Sequence, residues 1–257
     1  MKKIMFAAAM IAATAAVADV TSANTVGYNT ISVNAGTMTA MGVQFNDVTT
    51  ENTIAVKDLL TVADPVGGGT IGTTADQIWV WNVGTGAWVK YFYRSSRGVV
   101  TGWCKEGATT ETTDTLNNGD GFFFKRDGGV ANTSVTLSGA VNTTDPSVSY
   151  TATAGTMTYV AYPWPVAVAV TDLLTVADPV GGGTIGTTAD QIWVWDVSTG
   201  AWVKYFYRSS RGVVTGWCKE GATTATTDVI PVGACFFFKR DGGVATTTIT
   251  FNKPASL

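Results

Sequence analysis

DQIWVWNVGTGAWVKYFYR, residues 76–94, is two strand-like runs on either side of a Gly-containing turn. In the first run Gln77, Trp79 and Trp81 fall on one face and Ile78 and Val80 on the other. In the second, Val89, Tyr91 and Tyr93 oppose Lys90, Phe92 and Arg94. Aromatic and β-branched residues at period two, interrupted by VGTG, predict a β-hairpin. Both faces of 77–81 are apolar, which suits a central strand.

Nearly the same hairpin returns at residues 190–208, and the 23 residues from 88 to 110 recur unchanged from 202 to 224, loops and charges included. An offset of 114 carries Asp58 to Asp172, Cys104 to Cys218 and Leu137 to Phe251 without a gap. The AGTMT at Ala35 returns at Ala154, an offset of 119, so the first copy holds five extra residues within NDVTTENTIAVK. The chain therefore reads as two copies of one unit, at 19–140 and 141–257, each of ordinary domain size. A recent duplication explains identity in the loops, so identity between the copies is weak evidence of a site.

Other segments supply the rest of one unit. TVGYNTISV alternates, with Ile31 and Val33 opposite Ser32 and Asn34. VVTGWCK, GFFFKR and TSVTLSG read as further strands. TENTIAVKDLLTV is the one helix candidate, with Thr53 as N-cap and Val56, Leu59 and Leu60 at helical spacing. The expected fold is all-β: two tandem homologous β-sandwich or partly open barrel units, each with one short helix.

Residues 1–18 read as a secretory signal peptide. Lys2 and Lys3 precede an Ala-rich run, and Ala16-Val17-Ala18 fits a small-x-small cleavage site. That run falls short of the ~20 residues a bilayer span needs, and no later segment reaches it. Export to the periplasm, cell surface or medium is expected. Removing Lys2 and Lys3 from the 16 basic side chains leaves 14 against 19 acidic ones, a formal net charge of −5 that disfavours nucleic acid as a partner.

NTVGYNTISV after a signal peptide, followed by VKDLL, DQIWVWN, a GW and NNGDGFFF, resembles an uncharacterised repeat family of exported bacterial proteins. The second copy departs from it, lacking the VGY opening and carrying Cys235 where the first has Gly121. The resemblance implies export and architecture and brings no activity.

Candidate chemistries are thin. DPVGGGTIGTT has no Lys-Ser/Thr pair entering a helix, so it is not a phosphate loop. Asn117, Asn118 and Asp120 offer oxygens for calcium, but the second copy reads IPVGACF there, and a surface turn is the better reading. Glu106, Glu111, Asp114 and Asp120 could supply a glycosidase pair only across a cleft, and Glu111 and Asp120 become Ala225 and Ala234. With no His in the chain, no imidazole activates a Ser or Cys. KYFYRSSR mixes cations and rings, but strand alternation separates them onto two faces. No catalytic residue, metal or cofactor is implied.

The aromatics remain. Trp79, Trp81, Tyr91, Tyr93 and Trp103, with Trp193, Trp195, Tyr205, Tyr207 and Trp217, either fill the core, form a contact surface or stack on sugar rings. The expected function is a non-catalytic exported protein of the bacterial envelope that binds or assembles. It would display two near-identical surfaces to an envelope protein, a glycan or its own copies. The alternative is a carbohydrate-binding module on these Trp and Tyr residues. Of the three cysteines, Cys218 and Cys235 would pair if their strands are neighbours. Three reduced thiols, or a Cys104–Cys218 bridge, are the other patterns.

Overall fold

The computed structural model describes residues 25–48, 52–69, 72–96, 99–182, 186–196, 199–210 and 213–257. The signal-peptide reading of 1–18 lies outside them. The first sequence copy forms β1 (Val26–Val33), β2 (Met38–Gly42), β3 (Thr53–Ala55), β4 (Thr61–Val62), β5 (Gln77–Asn82), β6 (Ala87–Ser96), β7 (Val99–Lys105), β8 (Thr115–Asn117), β9 (Gly121–Lys125) and β10 (Thr133–Ala140). The second forms β11 (Ser147–Ala152), β12 (Met157–Ala161), β13 (Val168–Ala169), β14 (Thr175–Val176), β15 (Gln191–Asp196), β16 (Ala201–Ser210), β17 (Val213–Lys219), β18 (Val229–Ile230), β19 (Cys235–Lys239) and β20 (Thr247–Asn252).

The fold is all-β and antiparallel, and its sheets do not close into a barrel. Strand orders are β2-β9-β5-β6-β7, β1-β10-β4 and β3-β8, and the second copy repeats them as β12-β19-β15-β16-β17, β11-β20-β14 and β13-β18. The 76–94 hairpin forms as read, with Ile78 opposite Tyr91 and Trp81 opposite Trp88. β5 is the central strand of its sheet, as its two apolar faces require.

One face of that sheet packs on the three-stranded sheet. Ile78, Tyr91, Trp103, Phe122 and Phe124 meet Val33, Val62, Val135 and Leu137 in one core, and an equivalent core fills the second copy. Each copy also holds one buried ion pair. Arg126, 1 % exposed, places Nη1 2.7 Å from Asp76 Oδ2 and Nη2 2.9 Å from Asp64 Oδ2. Asp76 also accepts from the backbone of Val66 and Asp127, so both charges are fully bonded, which is what burial of an ion pair demands. Arg240 repeats the arrangement with Asp190 and Asp178.

The helix expected from Thr53 is absent. Thr53–Ala55 is strand β3, paired with β8, and only Val56–Asp58 winds into a single 3-10 turn, whose cap residue Ala55 makes no side-chain cap bond. Pairing with β8 satisfies the backbone that a helix would have closed on itself, and Val56, Leu59 and Leu60 reach the core from the turn. The GGG run likewise serves the sheet: Gly68 N donates to Tyr93 O, and Ser95 N to Gly68 O, at the bulge in β6.

Candidate functional site

The second face of each five-stranded sheet packs against its counterpart from the other copy. Phe123, Tyr159, Ala161, Cys235 and Phe237 are buried there, flanked by Trp79, Trp81, Trp88, Trp193, Trp195 and Trp202. Contacts are reciprocal. Phe237 meets Trp81 edge-on at 5.6 Å, and Phe123 meets Trp195 at 6.3 Å. Gly42 N donates to Gly233 O at 2.8 Å, and Ala161 N to the equivalent Gly119 O at 2.7 Å. The Trp81 indole N–H reaches Met157 O across the seam at 3.0 Å.

The seam is not symmetric in size. Tyr159 stands where the first copy has Ala40, Ala161 where it has Gly42, and Cys235 where it has Gly121. Tyr159 inserts its ring between Phe123 and Phe237, at 5.3 and 4.5 Å, with its hydroxyl 2.7 Å from Cys235 Sγ. A Cβ on Gly42 would lie 2.1 Å from the Ala161 Cβ, and one on Gly121 2.9 Å from the Tyr159 ring. The first copy's two glycines thus make room for the second copy's larger side chains.

This geometry reassigns most of the aromatic residues read as ligand contacts. Trp103 and Trp217, 3 % and 4 % exposed, belong to the two cores, as do Tyr91 and Tyr205. Their faces point inward because strand alternation sets them beside Ile78 and Ile192, not toward solvent. The Tyr91 hydroxyl donates to Asp114, and Tyr205 to Asp228, both at 2.7 Å. Burial, then the neighbouring carboxylate, raises both phenols. Tyr93 and Tyr207 are half-buried, edge-on to Trp103 and Trp217. Trp81 and Trp195 are seam residues.

Trp79 and Trp193 are half-buried and keep a partly open side. Each lines a groove, of about 210 Å³ in the first copy and 220 Å³ in the second. In the first, the indole N–H donates to Gln77 Oε1 at 2.8 Å, Gln77 Nε2 donates to Gly72 O at 2.7 Å, and Lys90 Nζ sits 4.4 Å over the ring. Lys125 and Glu106 complete the walls. The second copy repeats this with Gln191, Trp193, Lys204, Lys239 and Glu220. Two ammonium groups beside one carboxylate give each groove a net positive lining, suited to an anionic group presented with a flat apolar face. The Trp residues were legible in the sequence; Glu106 was read there only as a possible acid–base carboxylate and Lys125 not at all, since only strand pairing and the end of β7 bring them beside Gln77.

The Cys218–Cys235 pairing does not form. All three cysteines are free and buried. β17 and β19 are separated by β16 and β15, so roughly three strand spacings of ~4.8 Å lie between them. Cys218 packs with Ala189 and Phe206, whereas Cys235 lies in the seam. Burial pushes the Cys235 thiol up to about 12. Among the described residues no cluster of three or more Cys, Asp or Glu is arranged for a metal, and no helix is long and apolar enough to cross a membrane. The sequence matches no protein-family model and no curated protein.

Proposed function

We propose that this is an exported bacterial envelope protein that works by binding, with residues 19–140 and 141–257 as two homologous β units clamped through their aromatic faces. The observation that carries this reading is the repeated groove at Trp79 and Trp193, built with the same residues on both sides of a tightly packed seam. Fixed relative placement of two equal sites favours a repetitive ligand, because the second contact forms at a high effective concentration. The lining of Lys90, Lys125 and Gln77 around an indole suits a carboxylate-bearing glycan. This keeps the carbohydrate reading but moves it from the Trp79–Trp81–Trp103 platform to the two grooves.

A glycan array comparing acidic with neutral sugars tests it. Retention of acidic glycans is expected, with Lys90→Ala plus Lys125→Ala costing avidity and the added change Lys204→Ala plus Lys239→Ala abolishing it. Equal retention of neutral sugars, or none of either, would overturn the reading. Sequencing the N-terminus of protein from the native host tests export, with Asp19 as the expected first residue.

A further inference from the structure

Strand β11 is the outer strand of its three-stranded sheet, paired among the described residues only with β20. Lys253 N donates to Pro146 O at 2.9 Å, which marks that pair as a hydrogen-bonded position of the ladder. Alternation then turns the backbone groups of Val148, Tyr150 and Ala152 toward β20 and those of Ser147, Ser149 and Thr151 away from it. Beside this free edge runs a groove of about 530 Å³, walled on its far side by the Asn117–Asn118 turn.

That turn is firmly held. Asn118 N donates to Asn52 O at 2.9 Å, and Asn118 O accepts from the Tyr150 hydroxyl at 2.6 Å. Yet the Asn118 side chain, 2 % exposed, has no hydrogen bond at either Oδ1 or Nδ2. A buried carboxamide without partners has lost its hydrogen bonds to water and gained none in return, so its presence calls for a partner. The second copy has Val232 at the equivalent position, so the unpartnered amide belongs to this side of the seam alone.

We propose that this groove takes an extended segment of a partner protein by strand addition to β11. The outward backbone groups of Ser147, Ser149 and Thr151 supply the ladder, and the Asn118 carboxamide, whose nitrogen donates and whose oxygen accepts, matches a peptide group of the incoming strand. The span from 147 to 151 is roughly 16 Å at ~3.3 Å per residue, the reach of a pentapeptide. Asp145 is the one charged residue among those lining the groove, which favours a segment bearing Lys or Arg over one bearing Asp or Glu.

The test uses the full exported chain and two capped pentapeptides of alternating Thr and Val, one with a central Lys and one with a central Glu. Fluorescence anisotropy should show saturable binding of the Lys peptide, about tenfold tighter than the Glu peptide. Amide exchange should slow at Ser147, Ser149 and Thr151. Asn118→Val, which installs the other copy's residue, should weaken binding about tenfold while leaving the melting temperature equal or higher. Three results would overturn the proposal: no binding of either peptide at millimolar concentration; a clear fall in melting temperature for Asn118→Val, which would make the amide structural; or protection of the same three amides by self-association, which would make a second copy the occupant.

Discussion

Positions 40, 42 and 121 of the first copy match 159, 161 and 235 of the second in the sequence repeat, and at all three the second copy carries the larger side chain. The first carries Ala, Gly and Gly; the second carries Tyr, Ala and Cys. Elsewhere the two five-stranded sheets share nearly every side chain. At a self-complementary interface each residue near the axis meets its own equivalent, so two large residues clash and two small ones leave a void. Small on one side and large on the other removes both faults. The comparison teaches that the copies are no longer interchangeable: two first copies would lack the Tyr159 ring, and two second copies would bring Ala161 against Ala161.

Replacing the wedge should produce the largest effect. Tyr159→Ala restores the first copy's residue and leaves an unfilled space between Phe123 and Phe237. A loss of about 3–5 kcal/mol is expected in urea unfolding followed by tryptophan fluorescence. A loss under 1 kcal/mol would mean that the seam closes without it.

Next comes the exchange of sizes. Gly42→Ala alone overpacks against Ala161 and should cost about 1–3 kcal/mol. Adding Ala161→Gly should restore most of that loss, since the room is then supplied from the other side. Additive losses in the double variant would show that the two positions do not meet.

The pH profile reports on the buried thiols and phenols of the cores and the seam together. Burial raises Cys235 from 9.0 to about 12 and also raises the Tyr159, Tyr91 and Tyr205 phenols. Each is held neutral in the folded chain, so its contribution is complete below the unfolded value and is lost as pH climbs through the folded one. Stability should therefore fall from about pH 9 upward. Cys235→Ala should flatten the early part of that fall; burial also raises the Cys104 thiol, so Cys104→Ala removes that contribution and leaves the one from Cys235 in place. On the acid side the Tyr91 hydroxyl and Lys105 lower Asp114, and Tyr205 and Lys219 do the same for Asp228. Their contribution is present above 3.8 and lost as pH falls through the lowered folded values, a small effect because both side chains are about 40 % exposed.

The smallest effect is chemical. Iodoacetamide should label none of the three buried cysteines in the native protein and all three in denaturant. Native labelling at Cys235 would mean that the seam opens readily.

Local alternation determined a good deal. The 76–94 hairpin, its central position in a sheet and the all-β class follow from period-two patterning, because a strand's side chains must divide between two faces. The repeat and its five-residue difference are likewise facts of sequence. Alternation shows that Trp79 and Trp81 share a face; it does not show what covers that face. Only the tertiary structure placed Phe237 and Tyr159 against it, separated β17 from β19, drew residues 53–55 into a strand and left the Asn118 amide without a partner. Each depends on contacts between residues distant along the chain, and local propensity carries no information about which distant surface will exclude the water.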